Sequence, residues 1–152
     1  MKLRDALGLA RDKLIGVGIP PDEAAIDAEL FARTILGWDR ARILTESNQV
    51  MPAGLEPRFS AWVDRRSTRE PSAYITGVRE FYSLDFEVTP AVLIPRPETE
   101  IIIEAALPLI VRKLDARVAD IGTGCGNIAV TLAHEARKAS RSEERRVGKE
   151  CS

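Results

Sequence analysis

Gly122, Gly124 and Gly126 stand at alternate positions, with Thr123 and Cys125 between them. Glycines so spaced let a backbone turn sharply and bring its N–H groups against a ligand, where a side chain would collide. A dinucleotide-phosphate loop needs Gly-x-Gly-x-x-Gly, whose third glycine would fall at position 127. That position is Asn127, and no Gly-Lys-Ser/Thr run occurs, so the dinucleotide loop is disfavoured and the Walker phosphate loop is excluded. A plain strand-to-helix turn remains the competing explanation of the three glycines. Cys125 has no His or Lys neighbour to lower its pKa, which makes it an ordinary small loop residue rather than a nucleophile. His134, the only histidine, falls in the helix expected after the loop and reads as a solvated surface residue. Cys125 and Cys151 form no Cys-x-x-Cys pair, so no zinc ribbon, redox motif or other metal site is expected.

The elements that must hold this loop follow from periodicity. Arg117–Ile121 is short and mostly apolar, as a strand buried in a parallel sheet would be. Ile128, Ala129, Val130, Leu132 and Ala133 continue beyond the loop as a helix to about Lys138. Strand, glycine loop and helix in that order make the first unit of a Rossmann-like fold. The chain is therefore expected to be α/β, with a helical bundle ahead of that unit. In the bundle, Leu3, Ala6, Leu7, Ala10, Leu14 and Ile15 recur at helical spacing and predict a helix ending near Gly16. Pro21 with Asp22 and Glu23 starts a second helix, which runs to Gly37. Asp39 caps a third through Leu44, and Phe59, Trp62, Val63 and Arg66 mark a fourth. From Glu70 the pattern changes. Pro71 should end the helical region. Tyr74, Ile75, Phe81, Tyr82, Phe86 and Val88 read as a β-hairpin or a pair of short strands, with Gly77 as a turn candidate, running on to Val92-Leu93-Ile94. Pro95-Arg96-Pro97 is stiff, a helix should start at or after Pro97, and Pro108 should kink or split it. The expected divisions are residues 1–70 for the bundle, 71–96 for a hairpin linker, 97–140 for the start of the Rossmann-like domain and 141–152 for a foreign tail.

Composition narrows the classes. In 152 residues, 45% are hydrophobic and 30% charged, a globular balance that excludes a disordered or collagen-like chain. Twenty-two Lys and Arg oppose 23 Asp and Glu, so no global basic field exists for non-specific nucleic-acid or anionic-membrane binding. No apolar signal-like run follows Met1, and Ile101–Val111 falls far short of the ~20 residues of a membrane span. A cytoplasmic protein is expected.

The Gly-x-Gly-x-Gly loop resembles the cofactor loop of class I methyltransferases, whose ligand S-adenosylmethionine has no pyrophosphate. A longer pattern is more specific. Pro71-Ser72-Ala73-Tyr74-Ile75-Thr76-Gly77, Glu80-Phe81-Tyr82 and Leu93-Ile94-Pro95-Arg96-Pro97-Glu98-Thr99-Glu100 resemble the family of glutamine N5-methyltransferases that act on peptide chain release factors (the HemK/PrmC family). Asp27-Ala28-Glu29-Leu30 and Leu36-Gly37-Trp38-Asp39-Arg40-Ala41-Arg42 fit as well, so the resemblance runs from about Leu3 to about Arg137. It implies methyl transfer from S-adenosylmethionine to a glutamine side-chain amide, a bundle that helps dock the release factor, and a monomer that binds neither membrane nor nucleic acid. It assigns Gly122, Thr123, Gly124, Cys125 and Gly126 to the cofactor site and has Asp120 steady the loop. Arg96 and Thr99 would sit near the cofactor's mouth, or else only start a helix and pair charges on its surface. A related class I methyltransferase acting on another protein or a nucleic-acid amino group, and a non-catalytic release-factor-binding piece, remain alternatives.

The resemblance stops before its chemistry. Residues 141–151 look like a translated sequencing adapter, which predicts truncation near Ser140. Without the tail's four basic and three acidic residues, the rest holds 18 cationic and 20 anionic side chains, net −2. A Rossmann-like site holds the ribose with an acid roughly twenty residues past the glycine loop. Glu143 and Glu144 have about that spacing in the wrong context. The family's Asn-Pro-Pro-Tyr, whose acceptors would orient the amide nitrogen and stabilise its developing charge, does not occur. No catalytic residue is therefore named in this chain.

Overall fold

A computed structural model describes residues 1–113 and 115–147, with side chains through Lys138. It divides into two compact units between Thr76 and Gly77.

The first unit is a helical bundle. Its helices are α1 (Leu3–Gly16), α2 (Pro21–Leu36), α3 (Arg40–Glu46), α4 (Glu56–Ser67) and α5 (Ser72–Thr76). Their punctuation is local. Pro21 opens α2, and Gly37 closes it in the left-handed region at φ +64°. Asp39 caps α3 by accepting the Arg42 N–H at 2.7 Å. The apolar stripes of α1, α2 and α4 meet around Leu14, Phe31, Leu55 and Trp62, with Ile43 of α3 and Ile75 of α5 in the same cluster. Phe31 and Trp62 pack edge to face, their centroids 5.6 Å apart. The Arg58 guanidinium lies over the outer side of Trp62, 4.8 Å from its centroid. Within this core sits a charged knot. Arg66 of α4 donates Nε–H to Asp27 Oδ2 of α2 at 2.6 Å, Nη2–H to Glu23, and Nη1–H to the Glu70 carbonyl at 3.3 Å. The side chains of Arg66 and Asp27 are only 8% and 5% exposed, so the pair survives because each charge satisfies the other.

Tyr74 and Ile75 do not enter the hairpin expected of them. They belong to α5, where the Tyr74 and Ile75 N–H groups donate to the Pro71 carbonyl at 3.0 and 3.2 Å. Pro71 precedes one more helical turn rather than ending the helical region. Its fixed φ suits a helix start, and burial of Ile75 in the bundle outweighs the strand preference of a β-branched residue.

The second unit begins with a hairpin, β1 (Val78–Phe81) antiparallel to β2 (Leu84–Glu87), paired from Val78↔Glu87 to Phe81↔Leu84. This register leaves a two-residue turn at Tyr82 and Ser83, whose φ values of +51° and +60° give both the left-handed backbone of a type I′ turn. The turn therefore lies five residues beyond Gly77, which only leads into β1. The strand ends at Glu87 instead of running to Ile94. A single 3-10 turn (Pro97–Thr99) leads into α6 (Glu100–Val111), and α7 (Asn127–Val147) follows the glycine loop. Helix α6 is continuous through Pro108 rather than split. The ring removes only the hydrogen bond to the Glu104 carbonyl, on an exposed residue, close to the helix end. Helix α7 outlasts the expected end at Lys138, so the backbone of 141–147 is helical. The remainder of the expected foreign tail, 148–152, lies outside the described residues.

One expected element does not form. Arg117–Ile121 is not a strand, and β1 and β2 make the only sheet among the described residues. Ala116 to Ile121 takes part in no backbone hydrogen bond there, and Ile121 is 95% exposed. An apolar run gains from the extended conformation only by pairing on both edges and burying both faces, and no described residue supplies either. The architecture is thus mixed: helices with one small antiparallel sheet.

Candidate cofactor site

The glycine loop is built as its composition demands. Gly122, Gly124 and Gly126 have φ of +79°, +57° and +80°, conformations that side-chain-bearing residues rarely adopt. A Cβ at Gly122 or Gly124 would meet nothing within 4 Å, and one at Gly126 would only touch Val130 Cγ2 at 3.7 Å. The glycines are required by backbone shape, and the first two face open space that a ligand can approach. That is the cradle a cofactor loop needs.

Two side chains hold the loop to its surroundings. Thr123 Oγ1 donates to Asp120 Oδ2 at 3.0 Å across the turn. The Gly126 N–H closes the turn on the Thr123 carbonyl at 2.9 Å. Cys125 Sγ contacts Asn127 Oδ1 at 3.7 Å, and its side chain packs inward against the cluster of Phe81, Phe86, Ile103 and Leu132. Asn127, noticed in the sequence only for breaking the dinucleotide pattern, is thus a buried first residue of α7. Nothing in its spacing marks it as such. The Val130 N–H donates to the Gly126 carbonyl at 2.9 Å, which starts α7 directly on the last glycine.

Arg96 and Thr99 are placed differently. Both flank the 3-10 turn before α6, where the Thr99 N–H donates to the Arg96 carbonyl at 3.0 Å. The Arg96 side chain is exposed and makes no hydrogen bond or ion pair among the described residues. Among the described residues no hydrogen bond or ion pair joins either one to the glycine loop. His134 is half-exposed, with Nδ1 3.0 Å from Glu135 Oε1. Burial pushes the Glu135 carboxyl up, but its hydrogen bonds with His134 and Lys138 outweigh that and hold it below the ordinary carboxylate range.

Asp120 also edges a hollow of about 340 Å3 against Ile110, Ala116, Val118, Leu132 and Ala133. Apart from Asp120 its walls are apolar. It suits the side chains of a neighbouring strand better than a ligand with a charged amino-acid end. The loop itself, not this hollow, is the candidate site. No described helix is long and apolar enough to cross a membrane.

Residues 5–77 match the family model described as the PrmC N-terminal domain, which spans the helical unit. The chain is 44% identical over 135 residues to a release factor glutamine methyltransferase from Koribacter versatilis, covering 89% of this chain and 48% of the relative. It is 41% identical over 138 residues to one from Moorella thermoacetica (88% and 47%), and 44% identical over 111 residues to one from Burkholderia pseudomallei (73% and 39%). The chain therefore spans less than half the length of these curated relatives. Its helical unit thus matches the PrmC N-terminal domain, and along most of its length the chain is similar to proteins named release factor glutamine methyltransferase.

Proposed function

We propose that the protein to which this chain belongs transfers a methyl group from S-adenosylmethionine to the side-chain amide of a glutamine in a peptide chain release factor. The observation that carries this reading is the 135-residue match at 44% identity. A stretch of that length in a 152-residue chain takes in both the Ile94–Glu100 motif and the glycine loop, not the helical domain alone. In this reading the helical unit docks the protein substrate. Gly122 and Gly124 present bare backbone to the cofactor, Asp120 and Thr123 fix the loop's turn, and Cys125 and Gly126 seat it on α7. Arg96 and Thr99 stand at the mouth of the same site. Arg117–Ile121 becomes the first strand of a Rossmann-like sheet once parallel neighbours cover it.

When bound, the cofactor supplies an electrophilic methyl on a sulfonium. The chain's own residues bind and orient it; the groups that hold the target amide are expected from sequence beyond those matched here. The near balance of 22 cationic and 23 anionic side chains favours a protein substrate over nucleic acid, and we read the protein as a cytoplasmic monomer.

The test joins residues 1–140 to the C-terminal half of a curated relative and measures labelled methyl incorporation into purified release factor. Transfer to a glutamine is expected. Gly124→Val should abolish cofactor binding by calorimetry while the helical unit stays folded, because a branched side chain fills the open space and resists φ of +57°. Unchanged affinity in that variant would remove the loop from the cofactor site, and absent transfer by the parent would remove the substrate assignment.

A further inference from the structure

The hairpin tip is held in an unusual way. A two-residue type I′ turn favours Asn-Gly, because both residues need positive φ. Here the residues are Tyr82 and Ser83, neither of which adopts that backbone readily. The tip does not stand alone. The Tyr82 N–H donates to Glu100 Oε1 at 2.9 Å in a half-buried setting, eighteen residues away on the first turn of α6. Directly behind the turn, Phe81 and Phe86 pack edge to face at 6.2 Å. Their cluster includes Ile103 of α6, Leu132 of α7, and the half-buried side chains of Tyr82, Cys125 and Ile128. The one side chain of the glycine loop that points into this unit's core therefore rests on the cluster next to the turn that Glu100 fastens.

We propose that Glu100 is a positioning residue for the glycine loop. Its carboxylate locks the left-handed Tyr82-Ser83 turn onto α6, the locked turn fixes the Phe81–Phe86 pair, and that pair seats Cys125 and with it the Gly124–Gly126 backbone. The hairpin is on this view the back wall of the loop rather than a linker. That the wall serves a cofactor rests on the function proposed above; the mechanical coupling does not.

The experiment uses the 152-residue chain without cofactor, so the two readings fail separately. Alkylation of Cys125 is followed by peptide-resolved mass spectrometry, which separates it from Cys151, together with amide exchange across the chain. Glu100→Ala should raise the Cys125 alkylation rate about tenfold, the population shift expected from losing one hydrogen bond to a charged acceptor. Exchange at the Tyr82 amide and through 122–126 should rise with it, while the interiors of α6 and α7 around Ile103 and Leu132 stay protected. Glu100→Gln keeps an acceptor oxygen at the same reach and should stay within about twofold of the parent. Three results would each overturn the proposal: Cys125 reactivity unchanged in Glu100→Ala, protection at Ile103 and Leu132 lost along with it, or Glu100→Gln as reactive as Glu100→Ala.

Discussion

Replacing Asp27 by Ala should be among the most damaging single changes available in the helical unit. Asp27 is 3% exposed and Arg66 7%, and the carboxylate takes the shortest neutralising contact that the buried guanidinium makes with a fully enclosed partner. Removing one member of a buried ion pair typically costs about 3–5 kcal/mol, since the other charge stays desolvated. Arg66 would keep Glu23, whose side chain is 53% exposed, and the Glu70 carbonyl. Those residual partners place the expected loss near the lower end, about 3 kcal/mol. A unit ending at Thr76 has a total stability of only about 4–11 kcal/mol at ordinary per-residue values. The loss is thus a large fraction of the whole. Urea unfolding followed by tryptophan fluorescence measures it cleanly, because both tryptophans, Trp38 and Trp62, lie in this unit. The double variant Asp27→Leu, Arg66→Met removes the attraction and the desolvation cost together. It should recover at least half of the single-variant loss. A loss below about 1 kcal/mol for Asp27→Ala, or a double variant no more stable than Asp27→Ala, would refute the account of a charge stranded by its missing partner.

Amide exchange on the 152-residue chain should show the helical unit better protected than residues 97–140, because it closes its own apolar faces while Val118 and Ile121 remain exposed; equal protection in the two regions would contradict this. Acid should loosen the connection between α4 and α5. Hydrogen bonds from Arg65 hold the Glu70 carboxyl below its ordinary value, so their stabilisation is complete above about pH 4.3 and lost as pH falls further. The pair is partly exposed, Arg65 at 45% and Glu70 at 28%, so the effect should stay under about 1 kcal/mol. An Arg65→Gln variant should have a flatter acid limb in its stability profile, and an unchanged limb would show that the pair contributes nothing.

The sequence announced the parts of this fold whose stabilisation is local. Helices α1 to α4 carry both an apolar stripe and explicit stops, such as Gly37 ahead of the Asp39 cap, and both signals act within a few residues. The glycine loop was legible for the same reason: three glycines on alternate positions are needed wherever the backbone turns through positive φ. Elsewhere the deciding interaction is distant. Ile75 looks like a strand residue until the bundle core takes it into α5. The Tyr82-Ser83 turn carries no Asn or Gly, so nothing nearby marks it; what holds it is Glu100, eighteen positions later. Arg117–Ile121 is the opposite case, a strand-like run whose pairing partners are not among the described residues. Nothing local in the sequence pairs Asp27 with Arg66; only the crossing of α2 and α4 brings the two side chains together inside the bundle.

The division between Thr76 and Gly77 also orders events in time. A chain grows from its N-terminus at about 5–20 residues per second, so the 76 residues after Thr76 take roughly 4–15 s to add. Helical bundles rich in near-neighbour packing close in microseconds to milliseconds. The first unit can therefore close its own core on the ribosome before the glycine loop has been synthesised, with no later residue needed to complete it.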